Sequence, residues 1–342
     1  MALLPTRPLG KNGPQVSAIG LGLMGLSAYY SNAPNPDAER FQLLDRAVEL
    51  GCTFWDTADM YGDSEDLLGK WFIHSGKRDS VFLATKFGYV SVDAATGAAT
   101  LRSDAEYVKL ACAKSLQRLG IDKIDLYIAH RVDGKTPIEE TVQAMVELKH
   151  EGKIDYLGLS EVSAETLRRA CKVHHISAVE VEYSAFSLDI ESEQINLLKT
   201  CRELGVAVIA YSPLGRGMLT GRFKSTDDFE DGDVRKYLPR FSGANFDKNL
   251  KLVDELAVLA EKKGCSAGQL SLAWLLAQGD VFPIPGTMKI KYLEENVAAF
   301  EVKLTEDEIA DIRKFAEAVE VSGGRYPEMY VDELFRDTPA LK

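Results

Sequence analysis

The stretch Phe54-Trp55-Asp56-Thr57-Ala58-Asp59-Met60-Tyr61-Gly62 decides the fold. A short apolar strand, Cys52 to Trp55, turns polar abruptly at its end. Asp56 then stands five residues before a tyrosine, in a tight turn closed by Gly62. A helix-forming run, Glu65 to Ile73, follows at once. Acid and phenol thus both occupy the C-terminal end of a strand, where α/β folds place their chemistry. Taken alone, the stretch also reads as an ordinary strand-to-helix turn with Asp56 capping and Tyr61 packing.

Upstream, Arg7-Pro8-Leu9 and Gln15-Val16 flank Lys11-Asn12-Gly13, an Asn-Gly turn of the kind that closes a hairpin. The glycine-spaced run Ile19 to Gly25 comes next. A polar loop, Ser31 to Pro36, follows it in place of a helix, so the run lacks the context of a dinucleotide fingerprint. The first long helix is expected with Asn35 as cap, Pro36 at its first position and Gly51 at its end.

Downstream the chain alternates. Strands are expected over Val81 to Lys86, Ile124 to His130, Ile154 to Leu159, Ala178 to Tyr183, Val206 to Ala210 and Val281 to Ile284. Capping boxes at Ser103 and Thr136 open helices that stop at Gly120 and Gly152. Further helices are expected from Ser163, over Ser192 to Leu204, Asp247 to Lys263, Ser266 to Gln278 and Ile290 to Phe300. A long polar loop, Leu214 to about Asn245, interrupts the rhythm. A last helix, opened by the box at Thr305, and a tail from Gly323 lie beyond.

Eight strand–helix units with continuously apolar strands point to a (β/α)8 TIM barrel, with an N-terminal β-hairpin and a C-terminal helix plus tail. A doubly wound sheet is the alternative. It usually has fewer units and a phosphate-binding first turn. No composition break divides the 342 residues, so one domain over 1–342 is expected, with the barrel at about 15–300 and an extension at about 301–342.

A net charge of −12 argues against nucleic acid or an anionic membrane as partner. No window approaches the length of a membrane span, and no signal peptide is visible. Five cysteines without CxxC spacing read as reduced thiols of a cytoplasmic protein. No zinc pattern exists, and no metal is expected.

In a barrel, strand C-termini converge on one face whatever their distance in sequence. That face would collect Asp56 and Tyr61, then Lys86, then His130. Each residue alone has a bland reading as a solvated or core side chain. Together they make a proton-transfer device. A phenol has an ordinary pKa near 10, and a neighbouring Lys⁺ makes it a stronger acid. Asp56 would hold that lysine charged, and His130 would orient a substrate oxygen.

The set Asp56 to Gly62, Lys86, His130, Ile284-Pro285-Gly286-Thr287 and Glu295-Asn296 resembles the aldo-keto reductases, from about Leu9 to Phe300. Ala129 to Asp133 and Tyr211 to Gly217 resemble its fungal and bacterial branch, which includes pyridoxal reductases and general aldehyde reductases. The resemblance implies NADPH-dependent reduction of a small-molecule carbonyl, with Tyr61 as general acid tuned by Lys86 and Asp56. It implies that Gly22, Leu23 and Met24 border the cofactor and that Ser160, Glu161 and Glu180 lie at the nicotinamide carboxamide. Tyr211 would stack on the nicotinamide ring. Ser212, Pro213, Leu214, Gly215, Arg216 and Gly217 would line the pyrophosphate, with Arg222 nearby. Gly286, Met288, Tyr292, Glu295 and Asn296 would surround the adenosine end.

Three features bear on that reading. The basic residues Arg216, Arg222, Lys224, Arg235, Lys236 and Arg240 form the patch an anionic cofactor needs in an acidic protein. The acidic run within it, Asp227 to Asp233, reads as a solvated loop tip. The whole segment is expected to clasp the cofactor. Glu180 and Glu161 depart from the Gln and Asn common in the family. A carboxylate at 180 accepts but does not donate, and it favours the oxidised, cationic nicotinamide. Met288 replaces a polar or basic residue common at the 2′-phosphate, so Lys289 or Lys291 would take over. Tyr29, Trp55, Phe87 and Tyr89 are candidate aromatic walls, and the tail is a candidate cover. A cofactor-binding regulatory subunit, of the kind the potassium-channel β subunits suggest, is the second reading. A lyase or isomerase needs a metal or phosphate site not seen in the sequence.

Overall fold

The structure, a computed structural model, describes residues 3–30, 34–93, 96–319 and 321–342. The polar loop expected at Ser31 to Pro36 lies partly outside the described residues.

The hairpin comes first, with β1 (Thr6–Pro8) antiparallel to β2 (Gln15–Ser17). Asn12 adopts φ 58° in the connecting turn, a conformation that Asn tolerates better than most residues. Then β3 (Leu21–Gly22), α1 (Met24–Ser27) and α2 (Asp37–Glu49) lead to β4 (Phe54–Asp56) and α3 (Ser64–Ser75). β5 (Phe82–Phe87) is followed by a hairpin, β6 (Tyr89–Val92) and β7 (Ala99–Leu101), and by α4 (Ala105–Leu119). Three regular units come next: β8 (Ile124–Ala129) with α5 (Ile138–His150), β9 (Ile154–Ser160) with α6 (Ala164–Val173), and β10 (Ala178–Glu182) with α7 (Leu197–Leu204). β11 (Ala207–Tyr211) carries two helices, α8 (Gly243–Lys263) and α9 (Ala267–Leu276). β12 (Val281–Pro283), α10 (Ile290–Ala298) and α11 (Glu306–Ala318) complete the order.

β3, β4, β5, β8, β9, β10, β11 and β12 form one parallel sheet in that order. Its two edges meet. Gly22 pairs with Gly286, and the Gly20 amide donates to the Pro283 carbonyl at 2.9 Å. The sheet therefore closes into a barrel with helices outside, as the alternation of the sequence predicts.

Period two along each strand sorts the side chains. Phe54, Ala84, Leu126, Ile128, Ala178, Ala207, Ile209, Phe282 and Ile284 fill the interior together with Leu9 and Val16, so the hairpin plugs the barrel's N-terminal end. Trp55, between two inward residues, points outward and meets Trp71 of α3 with ring centroids 4.8 Å apart. The same parity carries inward, one layer above the apolar plug, Asp56 on β4, Lys86 on β5, His130 just beyond β8, Ser160 on β9 and Glu180 on β10.

Local details depart from the sequence reading. α2 begins with Pro36 at its cap and no side chain capping it, so Asn35 plays no such part. The capping boxes at Ser103 and Thr136 do not form. Asp133 takes the Ser103 and Thr136 amides (3.1 and 2.8 Å) and the Thr136 hydroxyl (2.9 Å), leaving Asp104 to cap α4. The box at Thr305 does form. α7 begins only at Leu197, because Asn196 adopts φ 50° and stops the helix from extending upstream.

Candidate active site

At the C-terminal end of the barrel lies a cavity of about 1110 Å³, whose walls include Asp56, Tyr61, His130, Ser160 and Glu180. Lys86 is fully buried beneath it. The Lys86 Nζ donates to Asp56 Oδ1 at 2.5 Å and to the Thr57 carbonyl at 2.9 Å, and it stands 3.5 Å from the Tyr61 hydroxyl. Glu180 Oε1 is 3.3 Å from the same ammonium. The turn that delivers Tyr61 depends on Gly62, at φ 56°, where a Cβ would meet the Ser27 carbonyl at 2.8 Å. Tyr61 and His130 meet edge to face with centroids 5.7 Å apart.

Burial, the largest influence on Tyr61, pushes its pKa above the ordinary range, and Lys86 pulls it only part of the way back. The expected net acidification by Lys86 therefore does not appear; Asp56 and Glu180 offset the ammonium. The phenol stays protonated throughout the neutral range, which is the form a proton donor needs. Burial would strip the Lys86 proton, but Asp56, Glu180 and Tyr61 outweigh it and keep the lysine charged. Burial, then Arg131 and Lys86, hold the His130 pKa well below its ordinary value, so the ring is neutral. Its Nδ1 is buried without a hydrogen-bond partner among the described residues. Burial, with the charge of Asp56 next, raises Glu180 to about 8.

The cavity extends from these groups toward a second, polar end. Gly22, Met24, Tyr211, Ser212, Pro213, Leu214, Arg216 and Gly217 line its middle. Arg222, Gly286, Met288, Tyr292, Glu295 and Asn296 line its far end, with Lys289 and Lys291. Arg222 stacks over Tyr292 at 4.2 Å, and Arg222, Lys289 and Lys291 have no carboxylate partner among the described residues. Three expected contacts are absent from the wall. Leu23 is turned into the core, Gly215 is buried behind the loop, and Glu161 lies behind Tyr211. The Gly215 and Gly217 amides donate to Ser212 O (2.8 Å) and Leu214 O (2.9 Å), so the loop consumes N–H groups expected at a pyrophosphate.

The basic patch divides. Arg235 binds Asp233 at 2.5 Å, Arg240 reaches Glu182 at 3.4 Å and Lys236 reaches Asp231 at 2.9 Å. Asp233 is buried and not part of a solvated tip, whereas Asp227, Asp228, Glu230 and Asp231 are exposed. Phe229 anchors the segment among Phe223, Phe241 and Phe246. The Val234 amide then donates to the Tyr29 carbonyl at 2.9 Å, linking the segment that follows β11 to the one that follows β3.

The tail closes the other side. Arg325 grips Glu161 through two bonds of 2.9 Å, with Glu161 itself at φ 49°. Burial works to raise the Glu161 pKa, and Arg325, with Arg131 and the Tyr211 hydroxyl, outweighs it and holds the carboxyl low. Tyr326 receives a 2.8 Å bond from Arg216 and touches the Tyr211 hydroxyl at 3.2 Å. Val162 and Arg336 add a parallel bridge. Glu161 is therefore a tail anchor in this chain.

Residues 18–317 match the aldo/keto reductase family. The chain belongs to this family. It is 54% identical to aldo-keto reductase str7 of Strobilurus tenacellus over 99% of both chains. It is 48% identical, also over 99% of both, to a Schizosaccharomyces pombe aldo-keto reductase, yakc, whose name carries NADP(+). Among solved structures, glycerol dehydrogenase from Gluconobacter oxydans superposes with a TM-score of 0.81 at 28% identity, covering 93% of this chain and 97% of that one. A thermostable aldo-keto reductase bound to the inhibitor epalrestat gives 0.72 at 28% identity, covering 91% and 99%.

This aldo/keto reductase carries site residues that sequence reasoning did not reach. Arg131 lines the cavity and donates to Ser160 Oγ at 3.2 Å. Tyr30, Met60, Met329, Tyr330, Glu333 and Leu334 also line it. Of the candidate aromatic walls, Tyr29 and Tyr89 are walls, while Trp55 and Phe87 are core. The signal for Arg131 was its place beside His130 at a strand end.

Proposed function

We propose that this enzyme reduces aldehydes and some ketones to alcohols with NADPH. The observation that carries the reading is the Tyr61 hydroxyl 3.5 Å from a buried Lys86 that Asp56 holds at 2.5 Å, on the floor of a cavity open to a substrate.

Tyr61, neutral and aimed at the cavity, gives its proton to the carbonyl oxygen. Lys86 then faces the phenolate that forms and lowers its energy, while Asp56 keeps the ammonium in position. General acid action of this kind contributes roughly 10²–10⁴-fold. His130, neutral, offers one ring N–H to the same oxygen and so orients the carbonyl without adding charge.

The dinucleotide fits the residues present. Three cations without carboxylate partners among the described residues line one end of an otherwise acidic protein's cavity, where charge-assisted bonds to a phosphate contribute roughly 1.5–3 kcal/mol. Arg222, Lys289 and Lys291 would hold the 2′-phosphate, Arg216 and the segment 212–217 the pyrophosphate, and Ser160 and Glu180 the carboxamide. When bound, the cofactor supplies a hydride to the carbonyl carbon. The strap tied from Val234 to Tyr29 excludes water from this groove and slows exchange.

The test is absorbance at the nicotinamide band over aromatic aldehydes, short aldehydes, ketones and pyridoxal, with NADPH and NADH in parallel. Turnover of at least one carbonyl is expected, with NADPH preferred. Replacing Lys289 and Lys291 together with Met is expected to weaken NADPH binding by at least about tenfold and leave NADH nearly unchanged. Equal loss for both cofactors would remove the 2′-phosphate assignment.

A further inference from the structure

Asp56 and Glu180 share one cation. Asp56 Oδ1 is 2.5 Å and Glu180 Oε1 3.3 Å from the Lys86 Nζ, and all three side chains are 4% exposed or less. The second oxygen of each carboxyl, Asp56 Oδ2 and Glu180 Oε2, is buried and has no donor among the described residues. One ammonium does not neutralise two carboxylates that are both buried against it. Like charges so placed keep one proton between them, and that proton supplies the bond both orphan oxygens lack. Asp56, 2.5 Å from the ammonium, holds the charge, whereas Glu180 stands farther from it at 3.3 Å, and burial, with the charge of Asp56 next, raises its pKa. Glu180 is accordingly the member that carries the hydrogen.

No other group competes for the role. Asp56 from β4, Lys86 from β5, the neutral Tyr61 and the neutral His130 beyond β8 surround the pair, with Ser160 beside it on β9. Glu161, whose amide donates to the Glu180 carbonyl, is held by Arg325. Glu182, two residues along β10, is paired with Arg240 at 3.4 Å, and Tyr211 of β11 donates to Glu161.

We propose that Glu180 is kept as the neutral acid and that its proton, bonded to Asp56, makes the Lys86 cluster neutral overall and sets the alkaline limit of carbonyl reduction. The proposal rests on the reductase reading for its catalytic half only. With Glu180 protonated, Asp56⁻ and Lys86⁺ cancel, and the one O–H of the acid is directed at Asp56. When Glu180 releases its proton to solvent, the cluster gains one negative charge. That charge makes the Tyr61 phenol harder to ionise and so a weaker donor to the carbonyl. It also favours a cationic over a neutral nicotinamide, so the balance moves toward alcohol oxidation, in which Tyr61 must take a proton up.

The first measurement uses the cofactor-free full-length protein with ¹³C-carboxyl glutamate, titrated by NMR. One glutamate carboxyl is expected to ionise near pH 8, the value to which burial and Asp56 raise it, and its resonance should be missing in Glu180→Gln. A wild-type spectrum in which every glutamate has ionised by about pH 6 overturns the proposal, and this arm needs no variant to fold. The second measurement is the pH profile of kcat/KM for reduction. Wild type should lose about tenfold per pH unit above the Glu180 pKa, while Glu180→Gln, which mimics the acid but cannot titrate, should stay level. An unchanged alkaline limb in the variant overturns the catalytic half. Absence of turnover at every pH removes the reductase reading instead, and the titration still decides where the proton is.

Discussion

Glu180 shows most clearly how one residue links stability to chemistry. Its ordinary value is 4.5, and the fold raises it to about 8. Between those values the folded chain keeps a proton that the unfolded chain has released. Stability from this group is therefore complete at acid pH and is lost as the pH rises through that window. Asp59, raised to about 7 by burial and by Glu65, acts in the same direction. The comparison must for that reason be made against Glu180→Gln. Thermal melts of both proteins are expected to run parallel below about pH 4.5 and to separate toward pH 8, with the variant increasingly the more stable. Parallel melts across the whole range would contradict a raised Glu180 pKa.

At the scale of elements, two segments that are neither barrel strand nor barrel helix complete the cavity. The tail is held by a buried ion pair between Arg325 and Glu161, 4% and 0% exposed. Arg325→Ala leaves Glu161 buried without its cation, a loss of about 3–5 kcal/mol if the tail stays docked. Release of the tail is the cheaper response. Limited proteolysis should then cut after residue 321 much faster than in wild type, and continued protection would mean that Val162–Arg336 and Tyr326 suffice. The strap depends on Phe229, 4% exposed among three other phenylalanines. Phe229→Ala removes about 3–5 kcal/mol of packing from that anchor. Stopped-flow release of NADPH should accelerate in the variant, and an unchanged rate would show that the strap does not gate the groove.

These elements also mark where the sequence was readable. Asp56, Lys86 and His130 could be placed together because the strand ends of a barrel converge on one face, whereas Ser160 and Glu180 joined them only through the family resemblance. The exchange of caps around Asp133 could not, because a carboxylate in one loop competes for Ser103, 30 residues away. Glu161 looked like a cofactor ligand because its partner, Arg325, is 164 residues distant and in a tail without periodicity. The β6–β7 hairpin was missed because Tyr89–Val92 is short and largely exposed, so it has no hydrophobic alternation to read. The basic patch was legible as composition. Which cations remain free depends on pairs such as Asp233–Arg235 that only the folded loop decides.

For the molecule as a whole, an acidic chain with a net charge of −12 concentrates, at one end of a cavity, cations without carboxylate partners among the described residues, and a charged, buried lysine at the other. Between them a closed strap and an anchored tail make a groove suited to a long anion and a small carbonyl. The central claim is that Tyr61 is the acid at the junction. Steady-state oxidation of NADPH should be followed by absorbance for wild type and Tyr61→Phe on the best carbonyl of the panel, with NADPH binding measured on both proteins. The account predicts a fall in kcat of about 10²–10⁴-fold with binding retained. A phenylalanine variant that binds NADPH and turns over within a few-fold of wild type would contradict it.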